Sequence, residues 1–278
     1  MITSEQRAAR RLGIGGSDIA IILGLSTYKT PYQLYLEKIG ESNGDDTQND
    51  LQYWGNQLEE VVRNEYAKRH NVVVETPETL VHQDYSFLRA NIDGFVRANN
   101  AVLEVKCASS FAAGQWGESG SDTIPMPYLL QVAHYCAVTN ADYADIAVLI
   151  GGNDYREYRY LRNAELETYV ITTAKQFWDC IQSKTAPEPI SQVDLRLMYP
   201  QHDPAKTKTI NNTLAEQLTT LTETRFKIKE LSAIEDKHKF NIMQFMKDAE
   251  CLVNESGQPI VSWKADKRGS RIFRLKGV

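Results

Sequence analysis

The stretch NIDGFVRANNAVLEVK, residues 91 to 106, sets one carboxylate, Asp93, ahead of a second, Glu104, with Lys106 two residues further on. Glu104 and Lys106 have the same parity, so on a strand both side chains leave one face while Leu103 and Val105 leave the other. Asp93 stands at the end or the entry of a neighbouring strand, and RANN between them reads as a hairpin turn. Taken alone, the pattern is also that of a solvated strand face with an ion pair. Its chemical reading is phosphodiester hydrolysis. That reaction needs a hydroxide in line with phosphorus, neutralisation of the pentavalent phosphate and protonation of the departing oxygen, and paired magnesium ions held by carboxylates supply much of all three. Magnesium is hard and takes oxygen donors. Asp93, Glu104 and the backbone carbonyl of Val105 are therefore candidate ligands. Lys106 points into the same site, where it could orient or deprotonate the attacking water while balancing carboxylate charge.

The elements that must position these residues can be read outward from them. Residues 72–75, 79–83, 92–97 and 101–107 are expected strands, preceded by a helix over 51–70 whose Leu58, Val61, Val62 and Tyr66 are expected to face inward. Upstream, SEQRAARRLG approaches or starts a helix. A Gly-rich turn with Ser17 or Asp18 as N-cap opens a short apolar helix, and a second helix begins at Pro31. The polar ESNGDDTQND reads as a loop. Downstream, SSFAAGQWGESGSDTIP is too long for a turn, and loops of that kind are often functional. A helix from Pro127, two strands over YADIAVLIG and YREYRYLR, and an amphipathic helix over 163–184 complete the pattern. Helices followed by a small mixed sheet flanked by helices make an α/β sandwich.

At 278 residues the chain can bury a sizeable core with an appended subdomain. No apolar run approaches a membrane span, and the first residues lack an apolar export region, so a cytoplasmic protein with no membrane partner is expected. Four scattered cysteines without a C-x-x-C pair suggest neither a zinc site nor a disulfide framework, and read as buried free thiols. The net charge of −5 is unevenly spread: residues 205–278 hold 14 Lys and Arg against 9 Asp and Glu, whereas residues 1–204 hold 17 against 27. An acidic body of this kind can still bind DNA if its carboxylates gather round divalent metal and its bases line a groove.

The D-x10-E-V-K arrangement resembles the PD-(D/E)xK nuclease core. RRLGIGGSD, WGNQLEE, NIDG with LEVK, and YLLQVAHY stand in order over residues 10–135 and are similar to motifs of the phage-type recombination exonucleases, the lambda-exonuclease and YqaJ-like group. Two departures stand out: Ile92 occupies the position before Asp93 where the motif's label has Pro, and Asn91 precedes it. The resemblance implies a restriction-endonuclease-like α/β fold and site roles residue by residue. Asp93 and Glu104 would be the principal metal ligands, with Lys106 beside them. Glu59 would complete a second metal site or hold a water on the metal, and Gln131 would hydrogen-bond Lys106 or such a water. Arg11 and Ser17 would grip a terminal 5′-phosphate, as suits guanidinium and hydroxyl donors near a helix start. GIGGSD lacks the Gly-Lys-Ser/Thr ending of a nucleotide-binding P-loop.

The resemblance further implies a magnesium-dependent 5′→3′ exonuclease, with manganese as a substitute, that degrades one strand of linear double-stranded DNA to leave 3′ overhangs for recombination. It also implies a homotrimer, a single-strand annealing protein as partner, and a bacterial host cytoplasm. The alternatives are an endonuclease or repair nuclease on the same core and a non-catalytic DNA-end-binding protein. Among the aromatics, Trp54, Trp116 and Tyr128 lie near the site in sequence, where stacking on a frayed base would suit an exonuclease. Core packing is the preferred role for Trp54, whereas Trp116, inside a polar loop, has less reason to be core.

Residues 1–190 are expected to form the nuclease core and 191–209 a Pro-containing linker. Residues 210–278 are expected to form an amphipathic helix or helical hairpin followed by a three-stranded meander. The basic tail has three open roles: DNA contact, docking of the annealing protein, or support of the oligomer. The structural role is preferred, because the Leu and Ile stripe of the helical segment needs a partner.

Overall fold

The computed structural model describes residues 4–44 and 50–276, and the chain divides into two compact units, Met1–Gln201 and His202–Val278. Residues 45–49, the centre of the polar loop expected over 41–50, lie outside the described residues.

The first unit opens with α1 (Ser4–Arg11), α2 (Gly16–Ile22), α3 (Pro31–Ile39) and α4 (Asp50–His70). Gly15, rather than Ser17 or Asp18, is the N-cap of α2. Asp18 serves the same turn from the third helical position, its carboxylate accepting the Gly15 amide at 2.9 Å. Thr30 caps α3 ahead of Pro31, with Gln33 returning the bond in a capping box. Two short strands, β1 (Leu80–Val81) and β2 (Arg89–Ala90), pair antiparallel. The main sheet has the order β3-β4-β5-β6, with β3 (Gly94–Val96), β4 (Ala101–Ala108), β5 (Tyr143–Ile150) and β6 (Asp154–Leu161). The pairing β4·β5 is parallel and the flanking pairs are antiparallel, so α5 (Met126–Thr139) supplies the crossover between β4 and β5. Residues 72–75 form no strand, only a bridge from Glu75 to Phe95.

Alternation along β4 divides the core. Val102 joins Ile146, Val148, Leu130 and Tyr135 on the α5 side, where α2, α3 and α6 (Ala164–Ser183) also pack. Ala101, Leu103 and Val105 join Val62, Tyr66 and Ala147 on the α4 side. Val62 and Tyr66, four residues apart, are the buried stripe of α4, while Val61, expected inward, lies a hundred degrees round the helix and is exposed.

The two tryptophan expectations are reversed. Trp54 is 57% exposed in the first turns of α4, whereas Trp116 is 5% exposed. The loop that carries Trp116 folds back onto β6, the Gly117 carbonyl accepting the Tyr158 hydroxyl at 2.6 Å. The indole then stacks on Tyr128 at 5.3 Å and lies 5.2 Å from Tyr158. Of the four cysteines, all free, Cys136 is buried, but Cys251 is exposed.

The short helix α7 (Gln192–Met198) forms within the stretch expected to link the units. Its buried Asp194 accepts the Thr30 hydroxyl at 2.5 Å and the amides of Ile190 and Ser191, which docks it on the start of α3. Among the described residues, the second unit consists of one helix, α8 (Asn212–Met246), and the meander β7 (Cys251–Val253), β8 (Pro259–Ala265) and β9 (Arg271–Leu275). The apolar stripe Leu214, Leu218, Leu221, Ile228 and Leu231 is exposed, and the buried apolar side chains of this unit among the described residues are Met246 and Val261. The meander therefore does not cover the stripe. No described helix is long and apolar enough to cross a membrane.

Candidate active site

The β3–β4 hairpin positions the acidic pair. Asp93 immediately precedes β3, and the left-handed Asn100 after the Arg97–Asn99 turn lets β4 return in register, Gly94 opposite Leu103. Gly94 has no room for a side chain, since a Cβ there would lie 2.4 Å from Val74. The Asp93 carboxylate accepts the Val105 amide at 2.7 Å, which ties it across the hairpin beside Glu104.

Glu104 and Lys106 leave the α5 face of β4 together, as their spacing requires, and form an ion pair. On that face Gln131 of α5 donates Nε2 to Glu104 Oε1 at 2.7 Å, and to the Tyr135 hydroxyl at 2.9 Å. Gln131 thus reaches Glu104 rather than Lys106. Glu104 is 1% exposed, and its Oε2 is buried with no hydrogen-bond partner. Burial pushes its carboxyl up to about 8, with the Asp93 charge adding to the rise and Lys106 opposing it. Burial also acts to lower the Lys106 ammonium, but the charges of Glu104 and Asp93 outweigh it and raise the group above its ordinary value. The Tyr128 ring lies 5.2 Å from the Lys106 Nζ and stacks on Trp116; Trp116 is buried in the wall of the site, whereas Tyr128 is half-buried.

Glu59 comes from α4, the helix on the opposite face of the sheet. It pairs with Arg63 at 3.0 Å, and the same guanidinium nitrogen donates to the Asp93 carbonyl at 3.0 Å. Burial raises the Glu59 carboxyl, followed by the Asp93 charge, with Arg63 and Lys106 opposing. Glu59 is thus in electrostatic contact with the site. Among the described residues, however, no three carboxylates, histidines or cysteines gather into a metal cage. The donors that fit a hard divalent cation are Asp93, the unpartnered Glu104 oxygen and the Val105 carbonyl, all oxygen. An unsatisfied buried carboxylate oxygen is costly without a counter-charge or hydrogen bond, and such a cation would remove that cost.

Arg11 and Ser17 are held by different helices. Arg11 donates Nε to the Glu37 carbonyl at 3.1 Å and Nη2 to Asn43 at 3.2 Å, against the end of α3. Ser17 is exposed in the first turn of α2, next to Gly16, where a Cβ would meet the Tyr135 ring at 2.6 Å and Gln131 at 3.0 Å. That close approach seats α2 on α5 beside the residues that hold Glu104. Between Arg11 and Ser17, buried Lys38 donates to the Arg10 and Gly13 carbonyls and to Asp18 at 2.6–2.8 Å, fixing the loop. Sequence reading missed Arg63 and Tyr135. Each lies four residues from a residue it did identify, Glu59 and Gln131, and that spacing on a helix is a signal of contact.

Residues 6–142 match the model of the YqaJ-like viral recombinase domain. The uncharacterized protein YqaJ of Bacillus subtilis (strain 168) is 36% identical over 182 residues, covering 64% of this chain and 56% of that protein, so the match spans little more than half of the relative's length. Among solved structures, an alkaline exonuclease from Laribacter hongkongensis is similar with a TM-score of 0.53 at 19% identity, covering 66% of this chain and 94% of that one. The same enzyme in complex with dAMP is similar to the same degree. At this identity the likeness is one of fold, a mixed sheet flanked by helices in the restriction-endonuclease-like arrangement.

Proposed function

We propose that this chain, whose residues 6–142 match the model of the YqaJ-like viral recombinase domain, is a metal-dependent deoxyribonuclease acting as a 5′→3′ exonuclease on linear duplex DNA. The observation that carries this reading is the Glu104 carboxylate, buried on a strand beside Asp93 and Lys106 with one oxygen left without a partner. Magnesium is the proposed ion, with manganese as a substitute, held by Asp93, Glu104 and the Val105 carbonyl. When bound it supplies charge neutralisation at the phosphate and acidifies water.

The chain's own groups do the rest. Gln131 fixes one Glu104 oxygen and leaves the other free to coordinate. Lys106 orients or deprotonates the attacking water and offsets the charge of the two carboxylates. Arg63 sets the Asp93 backbone and keeps Glu59 close enough to act on the site's field. Arg11 and Ser17 bind the terminal 5′-phosphate, which gives the polarity of degradation and leaves a 3′ overhang. A homotrimer and a single-strand annealing partner complete the proposal.

The test is a magnesium assay comparing linear with closed circular duplex. An exonuclease degrades the first and spares the second; cleavage of both is the endonuclease outcome, and binding of ends without cleavage is the non-catalytic one. Purified, folded Asp93→Ala protein that still degraded linear DNA at the wild-type rate would place the chemistry elsewhere.

A further inference from the structure

Between Lys264 and Lys276 the chain carries six cations, Lys264, Lys267, Arg268, Arg271, Arg274 and Lys276, against one acid, Asp266, in a protein whose net charge is −5. The register of the meander sorts them. Ser262 faces Arg274 and Lys264 faces Ile272, so Lys264 and Arg274 share one face with Lys276, two residues beyond Arg274; Trp263, Phe273 and Arg271 share the other.

The second face is the packed one. Arg271 lies 3.7 Å over the Trp263 ring and donates to the Lys247, Ala249 and Trp263 carbonyls, so its charge is committed to holding the sheet on the end of α8. Lys264 pairs with Glu250. Asp266 is committed to the β8–β9 turn, where it accepts the Arg268 and Ser270 amides at 2.8 and 3.0 Å. Four exposed cations remain, Lys267, Arg268, Arg274 and Lys276, and none has a carboxylate partner among the described residues.

We propose that this face of the meander binds the phosphates of double-stranded DNA, as a grip separate from the nuclease site and independent of a DNA end. Alternate residues on a strand lie about 7 Å apart, so Arg274 and Lys276 present an open, regular row of positive charge, which the two cations of the turn extend. A row of this kind, without a concave pocket or a buried acceptor, suits a regularly charged backbone and supplies affinity by counterion release. Base recognition is not implied, because phosphate contacts position a protein without reading sequence.

The test uses the full chain with Asp93→Ala, in EDTA, and closed circular duplex as the probe, so that neither an end nor cleavage contributes. Affinity is measured across a salt series for this protein and for the same protein carrying Arg274→Glu with Lys276→Glu. The expected result is a slope of log affinity against log salt shallower by roughly 2, from two lost phosphate contacts at about 0.9 each, with at least a tenfold loss at low salt. Arg274→Lys with Lys276→Arg should retain wild-type binding, and thermal unfolding should match in all three proteins. An unchanged slope and affinity after charge reversal would overturn the proposal and leave the face to an acidic protein partner. Equal loss in the charge-conserving variant would overturn it in favour of a structural role. In an otherwise wild-type background, the charge-reversed protein should still degrade a short linear duplex in magnesium, so this proposal and the nuclease reading fail separately.

Discussion

Replacing Glu104 with Gln should change how stability depends on pH, and the size of the change follows from burial. In the metal-free protein, burial holds the native carboxyl at about 8, above the 4.5 of an unburied glutamate. Between those values the native state carries a proton that the unfolded state has released. Stability contributed by this group is therefore complete below about pH 4.5 and is lost as pH rises through about 8, at up to about 1.4 kcal/mol per pH unit. From pH 6.5 to pH 8 the loss amounts to about 1.5 kcal/mol. Lys106 does not titrate in this window, because its ammonium is raised. Nor does His134. Burial lowers its imidazole to about 4, so its contribution is complete above about pH 6.5 and is lost as pH falls toward 4. Urea unfolding at pH 6.5, 7.25 and 8 in EDTA should show the decline in wild type and its absence in Glu104→Gln. Magnesium should offset the decline in wild type, by about 2.7 kcal/mol at a hundred times its dissociation constant, and should do little for the variant. A Glu104→Gln protein with the wild-type slope would refute the assignment of a proton, and hence of an exchangeable charge, to that buried oxygen.

Gly16→Ala should destabilise the first unit by about 1–3 kcal/mol, the usual range for overpacking, because its Cβ would meet the Tyr135 ring and the Gln131 side chain; chemical denaturation measures this, and activity should fall with it. Trp116→Ala should cost about 3–5 kcal/mol, far more than Trp54→Ala, because only the first indole is buried; a comparison of melting temperatures decides it. Arg11→Ala should reduce the preference for a 5′-phosphorylated over a 5′-hydroxyl end and lower processivity, with single-turnover cleavage less affected. Equal rates on both ends with wild type would remove the reason for assigning Arg11 and Ser17.

Much of the site was legible because it rests on short periodicities. Two-residue spacing put Glu104 and Lys106 on one face, and a turn of fixed length put Asp93 opposite. Helical spacing carried Glu59 and Gln131, and would have added Arg63 and Tyr135 had it been extended by one turn. What failed depends on contacts distant in sequence. Trp116 lies in a Gly- and Ser-rich stretch whose composition gives no sign that Tyr158 and Tyr128 will enclose it, and Trp54 lies on a helix whose buried stripe begins beyond it. The two-residue strand β2 is too short for any alternation to reveal. The unpartnered oxygen of Glu104 is a property of burial, which a motif cannot state.

The mixed pairing of the main sheet also separates a local contact from a distant one. β3 and β4 are joined by a short turn, so the hairpin alone makes Asp93 and Glu104 neighbours. The parallel pair β4·β5 needs the crossover that includes α5, and Gln131 belongs to that crossover. Lys106 travels on the same strand, two residues from Glu104, and is a counter-charge present whenever the hairpin is. The closeness of Glu and Lys in E-V-K thereby places a counter-charge beside the acidic pair within the hairpin itself, with no contribution needed from α5.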